Sequence, residues 1–160
     1  MLDLKIYPLT CDKYIPTRVK TSMGTWASGH TEKVIFLGDR DIKDQETGSL
    51  RQLDCMSPRN AHPALTDNPY EDAPHKLFNA FRKLADSECG AEWMFFCDDD
   101  TYVKVHLLEE YVKGVAEKYG NDHISLWGIN LQGHYQYDRN LSYPSGGAGY
   151  LVNRSTLQKL

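Results

Sequence analysis

Short continuous apolar runs alternate along the chain with stretches of helical period. Leu2–Leu9 alternates roughly in polarity before Thr10 and Cys11, and reads as a first strand that Pro8 brings to an end. Val19, Met23 and Trp26 then recur at spacings of four and three, which predicts a helix from a Thr17 cap to about Trp26. Lys33–Leu37 is a compact apolar run closed by Gly38 and Asp39, as expected of a second, parallel strand. Turn signals dominate from Glu46 to Asn68, leaving only a short strand near Leu50–Leu53. Pro74 stands at a first helical position, and Leu77, Phe78, Phe81, Leu84 and Ala85 form a stripe that Cys89 and Gly90 stop. Trp93–Cys97 is the next strand. Leu108, Tyr111, Val112, Val115 and Tyr119 mark one face of a further helix ended by Gly120, with Glu109 and Lys113 spaced for an i,i+4 pair. His123–Gly128 reads as another strand, and Ser155 or Asn153 caps a last helix, Thr156–Leu160.

Strands alternating with helices imply an α/β domain on a mostly parallel sheet. With 160 residues, 41% of them hydrophobic, a single domain with a sizeable core is expected over the whole chain. A formal charge of −4 with interspersed signs excludes a nucleic-acid partner, since no basic face or motif is present. No apolar run approaches the length of a membrane span and no secretory pattern opens the chain, so as given it is expected to be soluble, without membrane contact. Cys11, Cys55, Cys89 and Cys97 form no CxxC pair, which argues against structural zinc and leaves disulfides open; Cys97, inside an apolar run, reads as a small hydrophobe. Asn140-Leu-Ser142 and Asn153-Arg-Ser155 match the glycosylation triplet, but Asn153 is better explained as a helix cap.

The chemistry concentrates after Trp93–Cys97, where Asp98, Asp99 and Asp100 precede Thr101-Tyr-Val103. Ligands of open α/β sheets bind outside the carboxyl ends of strands, and three adjacent acids there repel one another unless a cation compensates. A solvated acidic turn is the bland explanation, yet so apolar a strand favours a divalent metal holding an anionic ligand. A calcium loop fails because Asp100 lacks the following glycine and the distal glutamate. A dehalogenase-like phosphotransferase fits poorly, since Tyr102 occupies the position of its Thr or Val. Carboxylates two apart holding Mn2+ or Mg2+ against a diphosphate match the residue types. Arg18 gains little from the helix dipole and suits a phosphate contact, while Asp39 and Asp41 read most simply as turn residues. Tyr143-Pro-Ser-Gly-Gly-Ala-Gly-Tyr-Leu-Val152 crowds three glycines into a strand, which points to a bend or a close approach, with a ligand the expected neighbour. His134, Tyr135, Tyr137 and Tyr143 allow carbohydrate stacking or simple packing.

Arg18-Val-Lys-Thr21 with Trp26, Lys33–Leu37, Lys76, Trp93–Val103 and Ser145-Gly-Gly-Ala-Gly-Tyr150 together make the chain resemble the Fringe and core 1 β1,3-galactosyltransferase group, glycosyltransferase family 31. The resemblance implies a Rossmann-like, GT-A-like domain and an inverting transfer of galactose or an N-acetylhexosamine from a UDP-sugar to a glycan or glycoprotein. It implies Mn2+ or Mg2+ at Asp98 and Asp100, with Thr10, Arg18, Asp39, Lys76, Asp98 and Asp99 on the donor side. Gly146, Gly147, Gly149 and Tyr150 would form the floor where donor sugar and acceptor meet. Relatives are Golgi-lumenal, type II membrane proteins whose acidic general base and metal-binding histidine come after the glycine strand. The expectation is therefore a chain truncated at its C-terminal side, with its base beyond Leu160, and a non-catalytic UDP-sugar- or glycan-binding remnant is the alternative.

Overall fold

The computed structural model describes residues 2–39, 42–43, 51–54, 73–86, 91–132 and 142–160. Strand β1 is Leu4–Leu9, β2 Phe36–Gly38, β3 Ile42–Lys43, β4 Arg51–Asp54, β5 Trp93–Asp98, β6 Leu126–Gly128 and β9 Tyr150–Asn153. They form one sheet in the order β3-β4-β2-β1-β5-β9-β6, while β7 (Asn130–Gln132) and β8 (Ser142–Pro144) pair separately. The four adjacent strands β4, β2, β1 and β5 are parallel, and β3, β9 and β6 join antiparallel, so the sheet is mixed where alternation alone predicts a mostly parallel one.

Helix α2 (Ala73–Asp86) and the short α4 (Arg154–Leu157) cover one face of the sheet, where Tyr7, Leu37, Met94, Phe96, Tyr150 and Val152 pack with Ala80, Leu84 and Leu157. The opposite face carries Ile6, Phe36 and Cys97 against Val19, Trp26 and Val105, with Leu4, Trp93 and Leu151 against Val112 and Val115 of α3 (Val105–Tyr119). Burial on both faces is why β5 is a continuous apolar run. Each large side chain buried there contributes on the order of 1.5–3 kcal/mol.

Several elements differ from the pattern for physical reasons. Pro8 lies inside β1, not at its end, with Leu9 the last strand residue. Ile6 N donates to Lys33 O and Thr10 N to Leu37 O, so residue 8 should donate to β2 between them; proline has no N–H. The ladder is interrupted there, and the expected strand Lys33–Leu37 reduces to a bridge at Val34 followed by β2. The first helical segment starts before Thr17: a 3-10 turn Asp12–Tyr14 runs into a π turn Ile15–Val19 and then α1 (Lys20–Met23). Thr17 is thus no cap, and its hydroxyl bonds Tyr14 O. On α2, Phe78 is exposed, and Lys76, Ala80 and Leu84 line the buried side. On α3, Tyr111 and Tyr119 are exposed, and Glu109 makes its close ion pair with Lys33 across the fold, with Lys113 adding a weaker favourable charge interaction.

Candidate functional site

Parallel register creates the site. Leu4 through Leu9 pair one to one with Trp93 through Asp98, so the residues just past the two strand ends, Thr10 and Asp99, lie side by side. Thr10 Oγ1 donates to Asp99 Oδ2 at 2.7 Å, and Arg18 Nη1 donates to Asp99 Oδ1 at 2.9 Å. Ser22 Oγ also donates to the Asp99 carbonyl at 3.3 Å. Asp99 is buried, its two carboxylate oxygens taken up by Thr10 and Arg18. Arg18 reaches this point because the irregular turns after β1 carry it there; its guanidinium lies over the Tyr14 ring, 4.1 Å from the centroid, and Nη1 also contacts Asp100 Oδ2 at 3.2 Å.

The three aspartates therefore occupy three environments. Asp100 is 58% exposed. Asp98 is half-buried, and its carboxyl is held above the usual range by burial first, then by Asp100 and Asp99, with Arg18 opposing. Among the described residues one arginine faces three carboxylates, an excess of negative charge that a divalent cation fits. Among the described residues no three His, Cys, Asp or Glu side chains converge as a full ligand set. Asp98 and Asp100 would supply two ligands, in keeping with the habit of Mg2+ and Mn2+ of taking one or two protein carboxylates and completing their shell with phosphate and water.

The cleft in front of these acids has a volume of about 210 Å³ and is lined by Leu9, Thr10, Cys11, Tyr14, Arg18, Ala73, Lys76 and the three aspartates. Lys76 is 2% exposed, with Nζ 3.1 Å from Thr10 O and 2.5 Å from Asp39 Oδ1. Asp39 Oδ2 in turn accepts from Asp12 N–H at 2.8 Å. The structure thus gathers Thr10, Arg18, Asp39, Lys76 and the acidic triplet at one sheet edge. Tyr14 and Cys11 also line the cleft and escape a motif search; the signal available was their position just past a strand end.

The glycine-rich segment divides in function. Gly146–Gly149 forms a turn closed by Gly149 N–H to Gly146 O at 3.0 Å and tied to the acidic loop by Thr101 Oγ1 to Gly147 O at 2.7 Å. A Cβ on Gly147 would lie 3.4 Å from Asp98 Oδ2, so the backbone does run close to the acids there. Gly149, with φ +87°, lies against the Phe95 ring, and what it approaches is the core. Gly146 is open to solvent. Tyr150 is buried, stacked on Phe96 and edge-on to Phe81, and its hydroxyl is pushed well above its usual pKa by burial, then by Asp98 and Cys97.

Cys97 is buried, its thiol pushed far up by burial and by the neighbouring aspartates, as a small hydrophobe should be. Cys11 is also a buried free thiol, whereas Cys55 and Cys89 lie outside the described residues. Asn153 is fully buried and caps α4 through Thr156 N, while its Nδ2 donates to Asn121 O and His123 O, leaving no amide for a glycan. Asp41, Asn140, His134, Tyr135 and Tyr137 lie outside the described residues. Tyr143 is 39% exposed. No described helix is long and apolar enough to cross a membrane. The family model described as Fringe-like matches residues 3–160.

Proposed function

Because the chain belongs to the Fringe-like family, a family of glycosyltransferases, we propose that it transfers galactose or an N-acetylhexosamine from a UDP-sugar to a glycan or glycoprotein, inverting the anomeric centre to form a β1,3 linkage. The observation that carries the reading is the cleft at the strand ends, where Asp98 and Asp100 stand together and Arg18 contacts Asp100. Asp98 and Asp100 would hold Mn2+ or Mg2+, which when bound neutralises charge developing on the leaving diphosphate.

The chain's own residues do the rest. Arg18, fixed on one side by Tyr14 and on the other by Asp99, is preorganised to meet a phosphate oxygen with little loss of side-chain freedom. Leu9, Cys11 and Tyr14 give the cleft an apolar side suited to a base or ribose. The turn at Gly147 presents backbone beside Asp98 without a side chain to obstruct a sugar. On the same reading the natural setting is the Golgi lumen, as part of a type II membrane protein.

Calorimetric titration with UDP tests this. Binding should require Mn2+ and be lost in Asp100→Ala; binding indifferent to both would overturn the proposal. A UDP-sugar turnover assay beside it separates a transferase from a binding module, which would bind donor without consuming it.

A further inference from the structure

We infer that Lys76 is a positioning residue that acts on the donor site through Thr10, and does not itself touch the donor. The inference rests on the proposed function for what the cleft binds, but its argument is geometric. Lys76 lines the cleft, yet at 2% exposure its ammonium is withdrawn from solvent. Nζ spans two strand ends, bonding Thr10 O at the end of β1 and Asp39 Oδ1 at the end of β2. These two oxygen partners compensate the cost of burying the ammonium.

The contact continues beyond Lys76. The residue whose carbonyl it holds is the one whose hydroxyl donates to Asp99 Oδ2, and Asp99 holds Arg18 through the other oxygen. Lys76, Thr10, Asp99 and Arg18 come from α2, the end of β1, the end of β5 and the π turn, so one hydrogen-bonded line joins four elements. Thr10 and Asp99 are both at or below 5% exposure, which keeps water from substituting for either of them. Asp39 is braced independently by Asp12 N–H, so the anchor of Lys76 does not swing. Outer partners that orient a binding group in this manner change affinity by about 10- to 100-fold when removed.

The test uses Lys76→Met, Thr10→Val and the double variant, each read in two ways. In UDP titrations with Mn2+, each single variant should weaken binding about 10-fold and the double should be no weaker than the worse single, because the residues act in series. In ligand-free protein, the Arg18 guanidinium Nη–H signals should be resolved in the wild type, where its bonds slow rotation, and should average in both single variants. A Lys76→Met that weakens UDP additively with Thr10→Val and leaves the Arg18 signals resolved would overturn the inference in favour of direct contact. Should Lys76→Met not fold, Asp39→Asn loosens the same anchor and must reproduce the Arg18 averaging or refute the idea. If the wild type fails to bind UDP with Mn2+, the proposed function falls, and the ligand-free Arg18 signals still decide the role of Lys76.

Discussion

Gly149→Ala separates backbone strain from ligand approach. The residue sits at φ +87°, where an L side chain costs about 1–2 kcal/mol. Its new methyl would also be driven into the Phe95 ring, a partly buried side chain that packs against the cores on the α3 side. Overpacking of that kind costs about 1–3 kcal/mol. Together the loss is about 2–5 kcal/mol, a large part of the 5–15 kcal/mol that holds a typical domain. Urea denaturation reads it as a fall in midpoint of about 1–2 M. Adding Phe95→Leu should return part of the clash and none of the dihedral cost. Gly147→Ala is the contrast: its φ is not in the left-handed region and its Cβ meets Asp98 Oδ2 at an ordinary 3.4 Å. It should keep stability within about 0.5 kcal/mol while weakening Mn2+-dependent UDP binding about 10-fold. A Gly149→Ala as stable as the parent, or unrelieved by Phe95→Leu, would refute the reasoning.

Other outcomes follow from the same geometry. Asp99→Ala should cost about 1–3 kcal/mol, because Thr10 and Arg18 each lose a buried acceptor, whereas Asp100→Ala, 58% exposed, should cost under about 0.5 kcal/mol in thermal denaturation; equal losses would contradict the division of the triplet. Asn153→Ala removes a cap and two donations to backbone carbonyls, for about 2–3 kcal/mol, and peptide mapping of wild-type protein expressed in a glycosylating host should find Asn153 without glycan. The Glu109 carboxyl lies below its usual range, chiefly through its hydrogen bond from Lys33, so the pair stabilises fully above about pH 5 and is lost as pH falls through the folded pKa. Glu109→Gln should therefore lose about 0.5 kcal/mol at pH 7 and a vanishing amount at acid pH; a deficit that persists there would point to packing instead of charge.

The core strand and its acids were legible because burial on both faces leaves an unmistakable run, Trp93–Cys97, and because three carboxylates after it demand compensation. The order of strands was less so, since β9 joins antiparallel and nothing in its four residues states a direction. Lys76 carried a readable signal: it stands four and eight residues before Ala80 and Leu84, so the buried stripe passes through a lysine that needs a partner. Which partner depends on the sheet bringing Thr10 and Asp39 together, and no local pattern encodes that. Glu109 illustrates the same limit, as Lys113 is the neighbour in sequence and Lys33 the neighbour in space. The glycines signalled a close approach correctly, while the object of that approach, Phe95 for Gly149 and Asp98 for Gly147, is a property of packing.

Pro8 has a mechanical consequence. β1 is laced to β5 along its whole length, from Leu4 with Trp93 to Leu9 with Asp98, but toward β2 it loses a stitch midway. Thr10 and the aspartates consequently ride on one plate, and the seam beside it lies between β1 and β2. Strain introduced at the β2 side of the cleft would be taken up along that seam, sparing the spacing between the Thr10 hydroxyl and the acids, so amide exchange should be faster at Ile35 and Leu37 than at Phe95 and Phe96.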